Sequence, residues 1–391
     1  MDAHIAEIRA IGQSIWLDNL SRALVRSGEL ERLCDLGVTG ITSNPTIFQK
    51  AVSASADYDD AIRALRVSGR SAADILWDLM IEDVVAAADV LGPVHERSGG
   101  HDGFVSIEVS PAAAHSTEQT LEMARDLRRR CNRPNVMVKI PATPQGVPAI
   151  RQMIAEGANI NVTLIFAVRR YEEVFEAFLS GLEELGRNGG AVDSVNSVAS
   201  FFVGRVDTAV DAMIDGKLAG ELDDATRTDL ASVRGATGIA NSKLAYERYR
   251  ALHSGPRWDA LAKAGARTQR CLWASTSVKD LRYSDTKYVD NLIGASTVDT
   301  VPNATLEALV DHATVRETLS DDVDEARSTL ARLAACHISL EEVTDRLEAE
   351  GVAAFEKSYR DLLAALTEAS QAVTGTPGVP GAAGQAGHRT P

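Results

Sequence analysis

One lysine and two carboxylates stand inside short runs that otherwise read as buried β-strands. The lysine is Lys139, in VMVKIPA (136–142). The acids are Asp18, in SIWLDNL (14–20), and Glu108, in FVSIEVS (104–110). A lysine amine attacks a carbonyl carbon only when neutral, and an unperturbed lysine titrates at ~10.4. Burial in an apolar barrel disfavours the ammonium form. Attack gives a carbinolamine and then an imine. An iminium is an electron sink, so it permits cleavage of the adjacent carbon–carbon bond in a sugar. Cleavage needs a base for the departing aldehyde's hydroxyl. Forming and hydrolysing the imine needs an acid/base working through water. Two carboxylates in different environments can divide those tasks.

Strand alternation sorts these residues onto one face. In 136–142, Val136, Val138 and Ile140 share the face that suits surrounding helices, and Lys139 points the other way with Met137 and Pro141. Ile15 and Leu17 oppose Trp16 and Asp18; Val105, Ile107 and Val109 oppose Ser106 and Glu108. In INVTLIF (160–166), Val162, Leu164 and Phe166 are expected to oppose Asn161 and Thr163. Asn44 ends a second run (37–44), and Ser200 lies in a sixth (197–204). Six strands therefore place a polar or ionisable residue on an inner face near their carboxyl ends. Such residues are costly to bury unless they pair or serve chemistry.

The elements that must hold this set alternate along the chain. Runs at 270–276 and 298–303 bring the candidate strands to eight. Segments 71–91, 117–130 and 169–185 between strands carry apolar residues at helical spacing. Strand–helix alternation implies parallel βαβ units, and eight of them favour an α/β fold closed as a (β/α)₈ TIM-type barrel. Segments 45–103 and 211–266 are too long for bare loops and predict added helices, with 241–265 a helix, turn and helix. Residues 305–369 predict a charged helical extension packed on the barrel's outside. The expected organisation is one catalytic domain over 1–370. A Gly/Pro/Ala-rich tail, 374–391, is expected to be disordered.

The formal net charge is -15, which disfavours nucleic acid and anionic membrane surfaces as partners. A local cluster of Arg and Lys can still bind an anionic small molecule. The N-terminus lacks a basic and apolar leader, no apolar run reaches ~18 residues, and the four cysteines form no CxxC pair. The expectation is a reduced cytoplasmic protein that neither enters nor crosses a membrane. The eight histidines show no HxxH or HExxH spacing, so no metal site is supported. Monomer and homodimer are both open.

The motifs WLDNL, GVTGITSNPTIF, FVSIEVSP, VMVKIPAT, INVTLIF and SFFVGRVD, in this order from 14 to 303, closely resemble the transaldolase family. LWASTSVKD and the helical extension resemble its larger bacterial members. The resemblance implies a Schiff base on Lys139, with Asp18 as the base at the cleaved bond and Glu108 as the acid/base acting through a water. Thr163 matches the residue that holds this water, with Asn161 beside it. Asn44 and Ser200 match groups that bind the dihydroxyacetone hydroxyls, Phe202 matches an aromatic wall, and Arg205 matches the main phosphate ligand. Smaller members carry Ser-x-Arg after strand seven; here the segment reads Ser275-Thr276-Ser277-Val278-Lys279. Ser275 is expected to contact phosphate still, and Lys279 is the candidate for the second positive charge.

By this resemblance the substrates are sugar phosphates. A dihydroxyacetone unit moves from sedoheptulose 7-phosphate to glyceraldehyde 3-phosphate, giving erythrose 4-phosphate and fructose 6-phosphate. This is a step of the non-oxidative pentose phosphate pathway. No metal or organic cofactor is implied, because the lysine iminium takes the electrons. The nearest alternative is a Schiff-base lyase of fructose 6-phosphate; Glu108, where that group usually has another polar residue, favours the transferase. A non-catalytic barrel is the rival from another class, and the intact residue set argues against it.

Overall fold

The computed structural model describes residues 1–54, 56–67 and 69–372. The tail 374–391, expected to be disordered, lies outside the described residues. Eight parallel strands close into a barrel in sequence order: β1 Gln13–Leu17, β2 Gly40–Ile41, β3 Phe104–Glu108, β4 Val136–Pro141, β5 Ile160–Ile165, β6 Ser197–Phe202, β7 Gln269–Ala274 and β8 Thr297–Val301. β8 pairs with β1 from Gln13↔Thr297 to Leu17↔Val301, which leaves no open edge. Every expected strand is present, most of them shorter than the apolar runs suggested. β2 keeps two residues only. Asn44 falls beyond it, and Pro45 opens the helix Pro45–Ala54, a position where the missing N–H costs nothing.

The alternation reading holds for β1, β3, β4 and β6. Ile15, Leu17, Val105, Ile107, Val136, Val138 and Ile140 join the core between strands and helices. Trp16, Phe104, Met137, Val198 and Leu272 belong to the inner cluster that plugs the barrel. β5 departs from it. Leu164 has φ 58, and the register with β6 shifts between Val162 and Ile165. This bulge reverses the alternation, so Leu164 and Phe166 join the inner cluster instead of facing helices beside Val162. Thr163, before the bulge, keeps its place in the lumen wall.

The long connections are helical as expected: Asp59–Val67 and Ala72–Arg97 fill the first, and Val203–Leu218, Asp224–Val233, Thr237–Leu252 and Pro256–Lys263 the second. The C-terminal extension differs from expectation. Its last helix, Leu340–Ala372, does not lie only on the outside but crosses the mouth at the strands' C-terminal end. Val343, Leu347 and Phe355 join the inner cluster with Leu164, Phe166 and Phe202, which a barrel open at the top would leave wet. Farther on, Ser358 and Thr46 are 2.8 Å apart, and Trp77 Nε1 donates to Tyr359 at 3.1 Å. Among the described residues no helix is long and apolar enough to cross a membrane, and all four cysteines are free thiols.

Asp299 in β8 is fully buried, and neither of its oxygens has a well-aligned hydrogen-bond partner among the described residues; the nearby Thr276 hydroxyl donates to the Thr300 carbonyl at 3.0 Å instead. Val298 and Thr300 point inward, so Asp299 faces the helices, level with Trp273, whose indole N–H is also unpartnered. Burial pushes its carboxyl up to about 7, against about 3.9 when unfolded. The folded state therefore holds this proton more tightly, and stability is lost as pH rises from about 4 to about 7, then levels off. Asp299→Asn should gain on wild type between pH 5 and pH 8.5, by about 3 kcal/mol at most. Parallel melting curves at the two pH values measure this; an unchanged difference would contradict it.

Candidate active site

A cavity of about 840 Å³ opens at the C-terminal ends of the strands, beneath the last helix. Of the residues singled out in the sequence, Asp18, Asn44, Lys139, Thr163, Ser200, Phe202, Arg205, Ser275 and Lys279 line it. Glu108 and Asn161 sit behind its wall, both fully buried.

Lys139 is 4% exposed. Its Nζ donates to the Ser43 carbonyl at 3.1 Å and lies 3.3 Å from Glu108 Oε2. Strand pairing brings the two together, since Glu108 is level with Lys139 across β3 and β4. The Ser43 hydroxyl donates to the Ser106 carbonyl at 2.8 Å and pins the β2 loop that offers its carbonyl to Lys139. Neither Glu108 oxygen, nor the Thr163 hydroxyl, has a well-aligned hydrogen-bond partner among the described residues. Buried acceptors and donors of this kind are normally satisfied by ordered water.

Asp18 follows β1, where its amide donates to the Val301 carbonyl at 2.8 Å. Its Oδ1 accepts from the Thr42 hydroxyl at 2.9 Å, and Thr42 lies 2.7 Å from the Thr300 hydroxyl. These two threonines orient the carboxylate and were missed in the sequence. Thr42 sits two residues before Asn44 and Thr300 in the least distinct strand, so alternation alone could have marked them.

Burial is the largest influence on both acids and raises them above the ordinary carboxylate range. The Lys139 charge opposes this in each case; for Asp18 the Thr42 hydroxyl, Arg205 and Lys50 also oppose it. The site thus holds two carboxyls less acidic than usual beside one amine, which suits proton exchange nearer neutral pH.

Ser200 and Asn161 act as a chain. Asn161 Nδ2 donates to Ser106 Oγ at 3.0 Å, and its Oδ1 accepts from Ser200 Oγ at 2.8 Å. With both ends of its amide engaged behind the cavity wall, Asn161 holds Ser200 in place. Asn44 Oδ1 caps the helix Pro45–Ala54 by accepting from the Ile47 amide at 2.9 Å, which leaves its Nδ2 to offer.

Arg205 lies in the first turn of Val203–Leu218. Its Cζ is 4.9 Å from the centre of the Phe202 ring, and among the described residues it has no hydrogen bond or ion pair. Burial lowers its proton affinity, while the Glu108 and Asp18 charges raise it. An unpaired guanidinium beside a helix N-terminus is a ready anion site. Ser275, with φ 58, accepts from the Gly204 amide at 3.0 Å. A Cβ on Gly204 would come within 2.4 Å of that carbonyl, so only glycine lets the helix start this close. Lys279 lies at the exposed rim, joined there by Lys50 and Arg346, which the sequence had not singled out. No group of His, Cys, Asp and Glu suited to a metal occurs among the described residues.

The family model described as transaldolase/fructose-6-phosphate aldolase matches residues 15–366. A transaldolase of Saccharopolyspora erythraea is 46% identical over 369 residues, covering 94% of this chain and 98% of that one. A transaldolase of Trichodesmium erythraeum is 41% identical over 374 residues, covering 95% and 98%. One of Thermobifida fusca is 44% identical over 376 residues, covering 96% and 100%. With this match over nearly its whole length, the chain belongs to the transaldolase/fructose-6-phosphate aldolase family.

Proposed function

We propose that the protein is a transaldolase that carries a dihydroxyacetone unit from sedoheptulose 7-phosphate to glyceraldehyde 3-phosphate. The observation that carries this reading is the buried Lys139–Glu108 pair, 3.3 Å apart, with Lys139 opening onto the cavity that Asp18 and Arg205 share.

The reaction starts when the Lys139 ammonium gives a proton to Glu108, whose acidity burial has reduced. The free amine attacks the C2 carbonyl carbon of the ketose. Glu108, through a water beside Thr163, returns the proton to the carbinolamine hydroxyl, which leaves as water and gives the iminium. Asp18 then takes the C4 hydroxyl proton. The C3–C4 bond breaks, its electron pair moves into the iminium to form an enamine, and erythrose 4-phosphate departs. The enamine carbon adds to the aldehyde carbon of glyceraldehyde 3-phosphate, and Asp18 returns the proton to the new hydroxyl. Water adds to the iminium and frees fructose 6-phosphate, restoring Lys139.

Asn44 and Ser200 hold the hydroxyls of the three-carbon unit, and Phe202 walls it from solvent. Arg205 binds the phosphate, with Ser275 and Lys279 completing the grip. Free thiols and these substrates suit the cytoplasm and the non-oxidative pentose phosphate pathway.

The family also contains fructose 6-phosphate aldolases, which release dihydroxyacetone to water. Turnover of fructose 6-phosphate with and without erythrose 4-phosphate separates the two. The transferase should turn over only with the acceptor present, because without an aldehyde the enamine has no electrophile and the three-carbon unit stays on Lys139. Release of dihydroxyacetone at the same rate without acceptor would support the aldolase instead.

Because burial raises Asp18, the base is lost to protonation at a higher pH than for an ordinary carboxylate. The acid limb of kcat/KM should therefore fall above ~3.9, the free Asp value. A pH–rate profile that stays flat down to that value would contradict this role.

A further inference from the structure

The last helix, Leu340–Ala372, presents Leu347, Gly351 and Phe355 at four-residue spacing, one stripe on one face. Leu347 and Phe355 line the cavity. Between them the helix comes so close that a Cβ on Gly351 would lie 3.0 Å from Leu164 Cδ2 and 3.5 Å from Arg205 Nη1. A glycine inside a helix costs ~1 kcal/mol relative to alanine. Here it lets the backbone rest on the β5 bulge and on the arginine. The same approach sets the Phe355 ring centre 5.8 Å from Arg205 Cζ, with Phe202 at 4.9 Å.

Arg205 thus has an aromatic ring from the end of β6 and another from a helix far along the chain, and no hydrogen bond or ion pair among the described residues. An arginine free to sample its rotamers gives up ~2 kcal/mol when a ligand fixes it. Rings that hold the guanidinium beforehand remove part of that cost, and they offer no negative charge to compete with an anion.

We propose that Phe355 is a positioning residue for phosphate recognition: it holds the Arg205 guanidinium together with Phe202, so that the C-terminal helix completes the phosphate site. Gly351 aids this, because a Cβ there would press on Leu164 Cδ2 at 3.0 Å, and glycine lets the helix approach without displacing that side chain. The inference rests on Arg205 being the phosphate ligand, as read above.

Phe355 is also buried, so a purely structural role must be separated from this one. Phe355→Leu keeps an apolar side chain and removes the ring; Phe355→Tyr keeps the ring. The measurements are inhibition by inorganic phosphate, and KM and kcat for fructose 6-phosphate with erythrose 4-phosphate as acceptor. Arg205→Ala and the double variant serve as references. Phe355→Leu should weaken phosphate inhibition and raise KM about three- to tenfold, with kcat nearly unchanged. Phe355→Tyr should match wild type. In the Arg205→Ala background Phe355→Leu should add nothing, because the two act through one contact.

A strong effect of Arg205→Ala with none from Phe355→Leu would overturn the inference and leave the phosphate reading standing. So would a Phe355→Leu effect that persists in the Arg205→Ala background, or one that appears only in kcat. No effect of Arg205→Ala on phosphate inhibition would overturn both. If Phe355→Leu fails to fold, Phe355→Met, also apolar and of similar volume, carries the same expectation.

Discussion

An ammonium buried against a carboxylate inside a closed barrel is the interaction on which the rest of this structure depends. Taking both charges out of water costs several kcal/mol each, and their attraction repays it only with good geometry. The Lys139–Glu108 pair has one further hydrogen bond, to the Ser43 carbonyl, and leaves both Glu108 oxygens short of aligned donors. The arrangement is therefore poor as a staple and good as a proton exchanger. It survives because the barrel beneath is plugged by Trp16, Phe104, Met137 and Leu272, so that the pair opens only toward the cavity.

That requirement extends to the far end of the chain. The apolar cluster that starts at Trp16 continues through Phe202 to Leu347 and Phe355 of the last helix. Two non-glycine residues take left-handed backbone where this layer meets the site: Leu164 at the β5 bulge and Ser275 after β7. Such conformations cost about 1 kcal/mol or more and concentrate at functional sites. The bulge turns Leu164 inward to meet the helix, and the turn at Ser275 offers its carbonyl to the helix that carries Arg205.

Much of this was legible in the sequence. A lysine amid Val136, Val138 and Ile140 has only the lumen to face, so strand period alone places it there. The eight strands and the long insertions followed from the same alternation and from length. The residues that escaped did so for physical reasons. Leu164 and Phe166 were assigned to the wrong face because a bulge adds a residue and reverses the alternation, and no residue type marks it. The resemblance put Asn161 beside Thr163; its hydrogen bonds to Ser106 and Ser200 follow from strand register, which residue types do not reveal. The last helix was expected outside. Its amphipathic pattern says that one face is buried but not against what, so Arg346 and Phe355 could not be assigned to the cavity.

Trapping shows whether Lys139 is the nucleophile. The protein is incubated with fructose 6-phosphate, reduced with borohydride, and digested for mass spectrometry. A dihydroxyacetone-derived adduct on the peptide containing Lys139 is the expected result. A folded protein that, at saturating sugar, gave no adduct or carried it on another lysine would contradict it.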